Sequence, residues 1–226
     1  VAIWKPGYED NIFMPEVDQM LASCGQIKSY KENTVIFTPG TDIEGIYYLH
    51  SGYTSHSMVN EDGNIKLLYY LSPGYYFGDT AYFLDVETSL ISKAETDVVF
   101  YYLSSEILMN LLATSEAFRH SLLLNFSAKL ITARYELSNV SFSSTKERIL
   151  RFFCSAVNSR VLIDKEWLPL TRQLNQTEIG EIVGATRVTV NRQIAELCIE
   201  GKLRIHKGRI HVNYGVWQSH NKQPLY

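Results

Sequence analysis

Gln173-Leu-Asn-Gln-Thr-Glu-Ile-Gly-Glu-Ile-Val-Gly184-Ala-Thr-Arg-Val-Thr-Val-Asn-Arg-Gln-Ile-Ala-Glu-Leu-Cys-Ile-Glu200 decides the fold of the C-terminal part of the chain. Ile179, Ile182 and Val183 recur at helical spacing, and so do Val190, Ile194 and Leu197, so two short helices each offer one face to a shared core. Gly184 permits a tight turn between them, and the Thr186 side-chain oxygen is placed to cap the second. Arg187, Val188, Asn191 and Arg192 then occupy the exposed side of its first turn and a half. In a helix-turn-helix that end meets base edges: Arg suits guanine or phosphate, and a small apolar side chain suits the thymine methyl. Beyond Gly201, Leu203 to His206 and Arg209 to Val212 alternate around Lys207-Gly208, predicting a two-stranded wing. Thr177, Thr186, Arg187, Val188, Thr189, Asn191, Arg192, Lys207 and Arg209 are the candidate contacts to double-stranded DNA. An ordinary helical hairpin with a solvated basic face accounts for the periodicity, but not for turn, cap, basic end and wing together.

Charge is divided to match. Residues 141–226 hold 13 Lys and Arg against 7 Asp and Glu, whereas residues 1–140 hold 8 against 17, so the formal net charge of −3 conceals a basic C-terminal part and an acidic N-terminal one. Only the former is drawn to phosphates. The 226 residues and 46% hydrophobic content suit two cores. No apolar run approaches a membrane span, and no basic region followed by a hydrophobic stretch opens the chain, so a cytoplasmic location is expected. The chain begins at Val1, not Met, and a few native residues are expected to precede it. Cys24, Cys154 and Cys198 are too few and scattered for a disulfide framework; at least two, Cys154 and Cys198, are expected to be enclosed.

From Gln26 to Ser104 the chain runs in short alternating segments: Thr34 to Phe37, Gly45 to His50, Lys66 to Leu71 and Val98 to Leu103. Pro39-Gly40, Glu61-Asp62-Gly63-Asn64 and Pro73-Gly74 punctuate them, predicting a small antiparallel β-roll. A short helix is expected at Pro15 to Ser23, and another at Ser104 to Ala113 with Ser104 as N-cap. A long helix follows, from about Ser115 to Asn139. Leu123, Phe126, Leu130, Ala133, Leu137 and Val140 recur along it at spacings of 3, 4, 3, 4 and 3, a narrow seam that suits a two-stranded coiled coil and hence a homodimer. Packing of the same helix on the β-roll is the alternative; Leu122, Leu124 and Ile131, off the seam, can serve that contact simultaneously. The fold class is therefore α+β: residues 1–113 a sensing β-roll resembling a cyclic-nucleotide-binding jelly roll, 114–140 a dimerisation helix, and 141–226 a winged helix-turn-helix.

This order of elements, with Gly74-Tyr-Tyr-Phe-Gly-Asp79, Lys146-Glu-Arg-Ile-Leu-Arg-Phe-Phe153 and Thr186-Arg-Val-Thr-Val-Asn-Arg192, resembles the Crp/Fnr family of bacterial regulators along nearly the whole chain. Val188, Arg192 and Leu67-Leu-Tyr-Tyr70 look most like its halorespiration branch, the chlorophenol-responsive CprK regulators. The resemblance implies a homodimeric, ligand-gated regulator of a palindromic promoter site, with RNA polymerase as a further partner if it activates.

Departures from the family pattern narrow the effector. Cyclic-nucleotide-binding members use a glutamate after the barrel glycine and an Arg-Ser pair shortly afterwards; here the stretches read Gly78-Asp79-Thr80 and Thr88-Ser89, with no cation before Lys93. A buried phosphate would lack its counter-charge, which argues against cyclic AMP. Cys24 alone cannot hold an iron–sulfur cluster, and His50 and His56 have neither the spacing of a metal site nor the context of haem ligands, so no cofactor and no metal are expected. A small anionic aromatic such as a halogenated phenol remains. Tyr69, Tyr70, Tyr75, Tyr76 and Tyr82 fall on barrel segments, where most serve the sheet and a pair can line a ligand. By resemblance Lys129 meets a phenolate, whereas on the residues alone it reads equally as a solvated coiled-coil charge. Phe126 stands where the branch has a tyrosine and Asp79 where it has a lysine. The effector-binding set is Tyr69, Tyr76, Gly78, Asp79, Thr80, Thr88, Ser89, Phe126 and Lys129. Paired catalytic carboxylates, a nucleophile elbow and a P-loop are all missing, so an enzyme is not expected. A DNA-binding protein that needs no ligand is the competing reading.

Overall fold

The computed structural model describes residues 12–172 and 174–221. The chain divides into two compact units that meet between Arg134 and Tyr135. This boundary falls inside the long helix, not at either of its ends.

In the first unit α1 (Pro15–Cys24) precedes eight strands: β1 (Gln26–Tyr30), β2 (Val35–Phe37), β3 (Gly45–Ser51), β4 (Thr54–Val59), β5 (Ile65–Leu71), β6 (Tyr76–Phe77), β7 (Ile91–Ala94) and β8 (Val98–Ser104). A short helix, α2 (Asp79–Leu84), lies between β6 and β7, while α3 (Ser105–Thr114) and α4 (Glu116–Phe142) follow β8. The strands form two antiparallel four-stranded sheets, ordered β1-β8-β3-β6 and β2-β7-β4-β5, the jelly-roll arrangement that the alternation predicted. Their inward residues meet in one aromatic core: Tyr47 stacks on Phe77 at 5.2 Å, Phe77 meets Phe100 edge-on at 4.9 Å, and Phe37 and Tyr102 close on Tyr47. A second cluster joins Leu21 of α1, Tyr48 of β3, Tyr76 of β6 and Leu108 of α3 to Phe118 and Leu122 of α4.

Helix α3 starts where Ser104 accepts a hydrogen bond from the Ile107 amide, and Ser115 does the same for Phe118 at the head of α4. Two faces of α4 have different duties. Phe118, Ser121, Leu122, Asn125 and Ala128 are buried in the first unit, whereas Leu123 (64% exposed), Leu130 (63%) and Leu137 (68%) lie bare with Ala133 and Val140. Asn125 fixes the buried face: its Oδ1 accepts from the Tyr76 amide at 3.0 Å, and its Nδ2 donates to the Gly74 carbonyl at 3.1 Å. Phe126 departs from the rest of the expected seam, being half-buried and edge-on to Phe83 of α2.

The second unit holds α5 (Thr145–Ser155), β9 (Trp167–Pro169), α6 (Gln176–Val183), α7 (Arg187–Ile199), β10 (Leu203–His206), β11 (Arg209–Asn213) and α8 (Tyr214–Asn221). Ser144 and Glu147 form a capping box on α5, and Asn175 and Glu178 form another on α6. Gly184 ends α6 in the left-handed region (φ 67°), which frees the chain to turn into α7, and the Thr186 hydroxyl accepts from the Thr189 amide as the cap of α7. Lys207 and Gly208 both take positive φ, 52° and 72°, the two-residue turn that lets β10 and β11 pair with His206 opposite Arg209. Ile149, Phe153, Ile179, Val190, Leu197 and Val212 pack the core. Two elements differ from expectation. Tyr82 lies on α2, not on a strand, and β9 adds a third strand to the wing through Leu168 opposite Val212.

Candidate functional site

At the α4 end of the β-roll, two charged side chains meet out of water. Asp79 is the first residue of α2, 3% exposed, and Lys129 rises from α4, 14% exposed. The Lys129 ammonium donates to both Asp79 carboxylate oxygens at 2.8 Å and to the Tyr76 carbonyl at 2.6 Å. Burial pushes the Lys129 pKa down and Asp79 opposes that shift. Gly78 carries the chain into α2 with φ 79°, and a β-carbon there would come to 3.1 Å from Ile43.

Around the pair stand groups that hold no charge. His56 of β4 is 1% exposed, with Nε2 2.9 Å from the Thr54 hydroxyl and Nδ1 3.0 Å from that of Ser92. Burial, aided by the Lys129 charge, lowers its pKa to about 3, so the ring is neutral at physiological pH. Its face lies 5.3 Å from Tyr69 and 5.4 Å from Phe77. Burial and Asp79 push the Tyr69 hydroxyl well above the usual tyrosine value, which keeps it a hydrogen-bond donor. The arrangement offers a neutral ion pair, a neutral imidazole and a phenol beside an aromatic core.

The predicted effector residues divide between this place and others. Lys129, Asp79 and the Tyr76 carbonyl converge, with Gly78 adjacent in the chain and Tyr69 interacting through Asp79. The Tyr76 ring packs in the core against Phe118, with its hydroxyl 3.1 Å from Ser121. Thr88 is occupied in a bridge with Thr41 and in a turn to Leu90; Ser89 and Thr80 are exposed, and Phe126 covers α2. The expected anion partner, Lys129, is thus already engaged by the carboxylate that departs from the branch pattern. Thr54, Ser92 and Asn125 are the participants that sequence reading missed, and His56 was weighed there only as a metal or haem ligand; the signal for this pairing was a histidine and a threonine two apart on one strand face.

In the second unit a groove of about 930 Å³ lies between α6, α7 and the wing, lined by Asn175, Thr177, Arg187, Asn191, Ile205 and Arg209. Thr177, Thr186, Arg187, Val188, Asn191, Arg192, Lys207 and Arg209 are all exposed, Val188 by 78%; Thr189 is half-buried, with its hydroxyl 3.0 Å from that of Thr186. Gln176 accepts a hydrogen bond from Arg187 at 3.4 Å, a contact not anticipated from sequence. Among the described residues, ion pairs occupy other cations instead: Lys146 with Glu196 and Glu200, Arg172 with Glu178, and Arg204 with Asp164. Among the described residues no ion pair engages Arg187, Arg192, Lys207 or Arg209.

Residues 27–115 match the cyclic nucleotide-binding domain and residues 147–213 the Crp-like helix-turn-helix domain, in the order of the two units. The chain belongs to the Crp/Fnr family. It is 26% identical over 206 residues to the cAMP-activated global transcriptional regulator CRP of Pasteurella multocida, covering 89% of this chain and 96% of that protein. The fold is that of the c-di-GMP-responsive global regulator CLP of Xanthomonas campestris (TM-score 0.74, 21% identity, 88% and 98% of the two chains). It is also that of OCPA-complexed CprK (TM-score 0.70, 23% identity, 97% of each chain). This Crp/Fnr protein is a ligand-responsive transcription regulator with a DNA-binding helix-turn-helix, and not an enzyme. Among the described residues no helix is long and apolar enough to cross a membrane.

Proposed function

We propose that the protein is a cytoplasmic homodimer, formed along α4, that binds an A/T-rich inverted repeat when a small aromatic effector of the halogenated-phenol type occupies the β-roll. One observation carries this reading: Lys129, which reaches into the sensor to Asp79 and Tyr76, is the sequence neighbour of Leu130 on the bare seam. A ligand that changes the partners of Lys129 therefore acts directly on the helix that the second subunit covers, and an effector can shift an equilibrium only through such a difference in contacts. Polar Tyr69 and His56, with ring centroids 5.3 Å apart beside the Asp79–Lys129 pair, complement the polar edge of an aromatic effector. A cyclic nucleotide is disfavoured, because Thr88 and Ser89 bring no cation and Asp79 would repel the phosphate.

Two recognition helices related by a dyad require half-sites about one helical turn apart, roughly 34–36 Å. Val188 offers a thymine methyl its apolar contact, and half-sites of the TTAAT type are expected. Selection of binding sites from a random DNA pool, with and without a chlorophenol, tests the proposal. An inverted repeat enriched only with the chlorophenol supports it; equal enrichment in both arms favours a regulator that needs no ligand.

A further inference from the structure

On the reading of an aromatic effector at the Asp79–Lys129 end of the β-roll, we propose that Asp79 is the specificity-determining residue of the site. It admits an acidic aromatic only as the un-ionised acid, and it excludes permanent anions.

The argument is one of counting donors and charges. An ammonium has three N–H donors, and Lys129 meets three acceptors: both Asp79 oxygens at 2.8 Å and the Tyr76 carbonyl at 2.6 Å. No donor is left pointing at a vacant anion position. The groups facing the pair from neighbouring elements add no charge: His56 of β4 is neutral and held by Thr54 and Ser92, Tyr69 of β5 stays protonated, and β6 supplies only a backbone carbonyl, the Tyr76 hydroxyl being at Ser121. Asp79 and Lys129 thus cancel within an enclosed site, and a phenolate entering it would leave a net negative charge beside a carboxylate that is 3% exposed. Burying an unmatched charge is costly enough that proteins change protonation state instead.

One proton-balanced route avoids it. The phenol enters intact and its O–H donates to an Asp79 oxygen, leaving the Asp79–Lys129 pair in place. The complex holds one proton more than the phenolate and free protein did, so apparent affinity must fall with rising pH once the ligand ionises. A more acidic halogenated phenol then gains nothing from its acidity, the reverse of selection for phenolate by an unpaired lysine.

Titration calorimetry of the full-length protein with 2,4,6-trichlorophenol and with 2-chlorobenzenesulfonate, an anion that cannot take up the proton, tests the inference. Between about pH 6 and pH 8 the wild-type affinity for the phenol should fall about tenfold per pH unit above the ligand's own pKa. The sulfonate should not bind. Asp79→Asn, its fold checked by circular dichroism, should lose the pH dependence and acquire sulfonate binding; if that variant does not fold, the wild-type slope alone decides. A wild-type affinity independent of pH, or a sulfonate bound as tightly as the phenol, overturns the inference. If neither aromatic binds wild type or variant at any pH, the aromatic-effector reading itself fails, and this inference with it.

Discussion

Acid should destabilise the sensor unit through His56. The ring is 1% exposed, bracketed by the Thr54 and Ser92 hydroxyls, and its pKa is lowered to about 3 by burial first and the Lys129 charge second. In the unfolded chain a histidine titrates at about 6.5. Because the folded value is the lower one, the unfolded state binds the extra proton between them, so the contribution is complete above about pH 6.5 and lost as pH falls toward 3. The slope is about 1.4 kcal/mol per pH unit, so the loss between pH 6.5 and pH 5 is about 2 kcal/mol, of order 5 kcal/mol if the fold survived to pH 3. In a Trp4→Phe background, urea unfolding followed by near-ultraviolet circular dichroism, to which the tyrosine-rich first unit contributes most, reads that unit, while Trp167 and Trp217 fluorescence reads the second. His56→Gln, which keeps a donor and an acceptor but cannot be protonated, should flatten the tyrosine-detected loss and leave the tryptophan transition unchanged. A wild-type sensor equally stable at pH 6.5 and pH 5, or a variant with the same slope as wild type, would refute the reasoning.

Three further outcomes are expected. Leu130→Glu places two like charges at one layer of the α4 seam, removing a leucine whose burial contributes about 1.5–3 kcal/mol per subunit, and should give a monomer by sedimentation at micromolar concentration with the fold retained. Arg192→Ala should cost about 1–3 kcal/mol of operator binding and relax specificity at one base position; uniform weakening across sequences would reassign Arg192 to a phosphate. Burial pushes all three thiols above their ordinary value, that of Cys154 to about 12, so diamide should produce no covalent dimer and no change in operator affinity; a thiol-reversible loss of binding would assign a redox role to exposed Cys24.

The parts of this protein that were legible in sequence are those whose signals are local. Thr186 one turn ahead of Val190, Gly184 at the positive-φ position and Lys207-Gly208 between alternating residues each specify a backbone conformation within a few residues, and the second unit follows from them. Strands β3, β5 and β8 were readable for the same reason, whereas β4 (Thr54–Val59) was not singled out. Helix α2 was not readable, because six residues following a glycine are too short to display a helical period, and Tyr82 was therefore read as part of a barrel segment. Strand β9 has three residues and ends at a proline, and its partner β11 lies some 40 residues on; nothing local announces it. At the candidate site Asp79 and Lys129 were each singled out, but their union spans 50 residues and turns an expected anion receptor into a neutral pair. His56 gave even less notice, since Ser92, which completes its hydrogen bonding, is 36 residues away. Cys198, expected to be enclosed, is only half-buried, because α7 packs through Val190, Ile194 and Leu197.

The central claim is that occupation of the β-roll controls DNA binding. Fluorescence anisotropy of a labelled inverted repeat, titrated with the protein at fixed salt in the presence and absence of 2,4,6-trichlorophenol, measures the coupling between the two sites. The account predicts operator affinity raised by about 5- to 150-fold, a coupling of about 1–3 kcal/mol, with a non-specific duplex unaffected. Equal affinity with and without the phenol, at a concentration that calorimetry shows to saturate the protein, would contradict it.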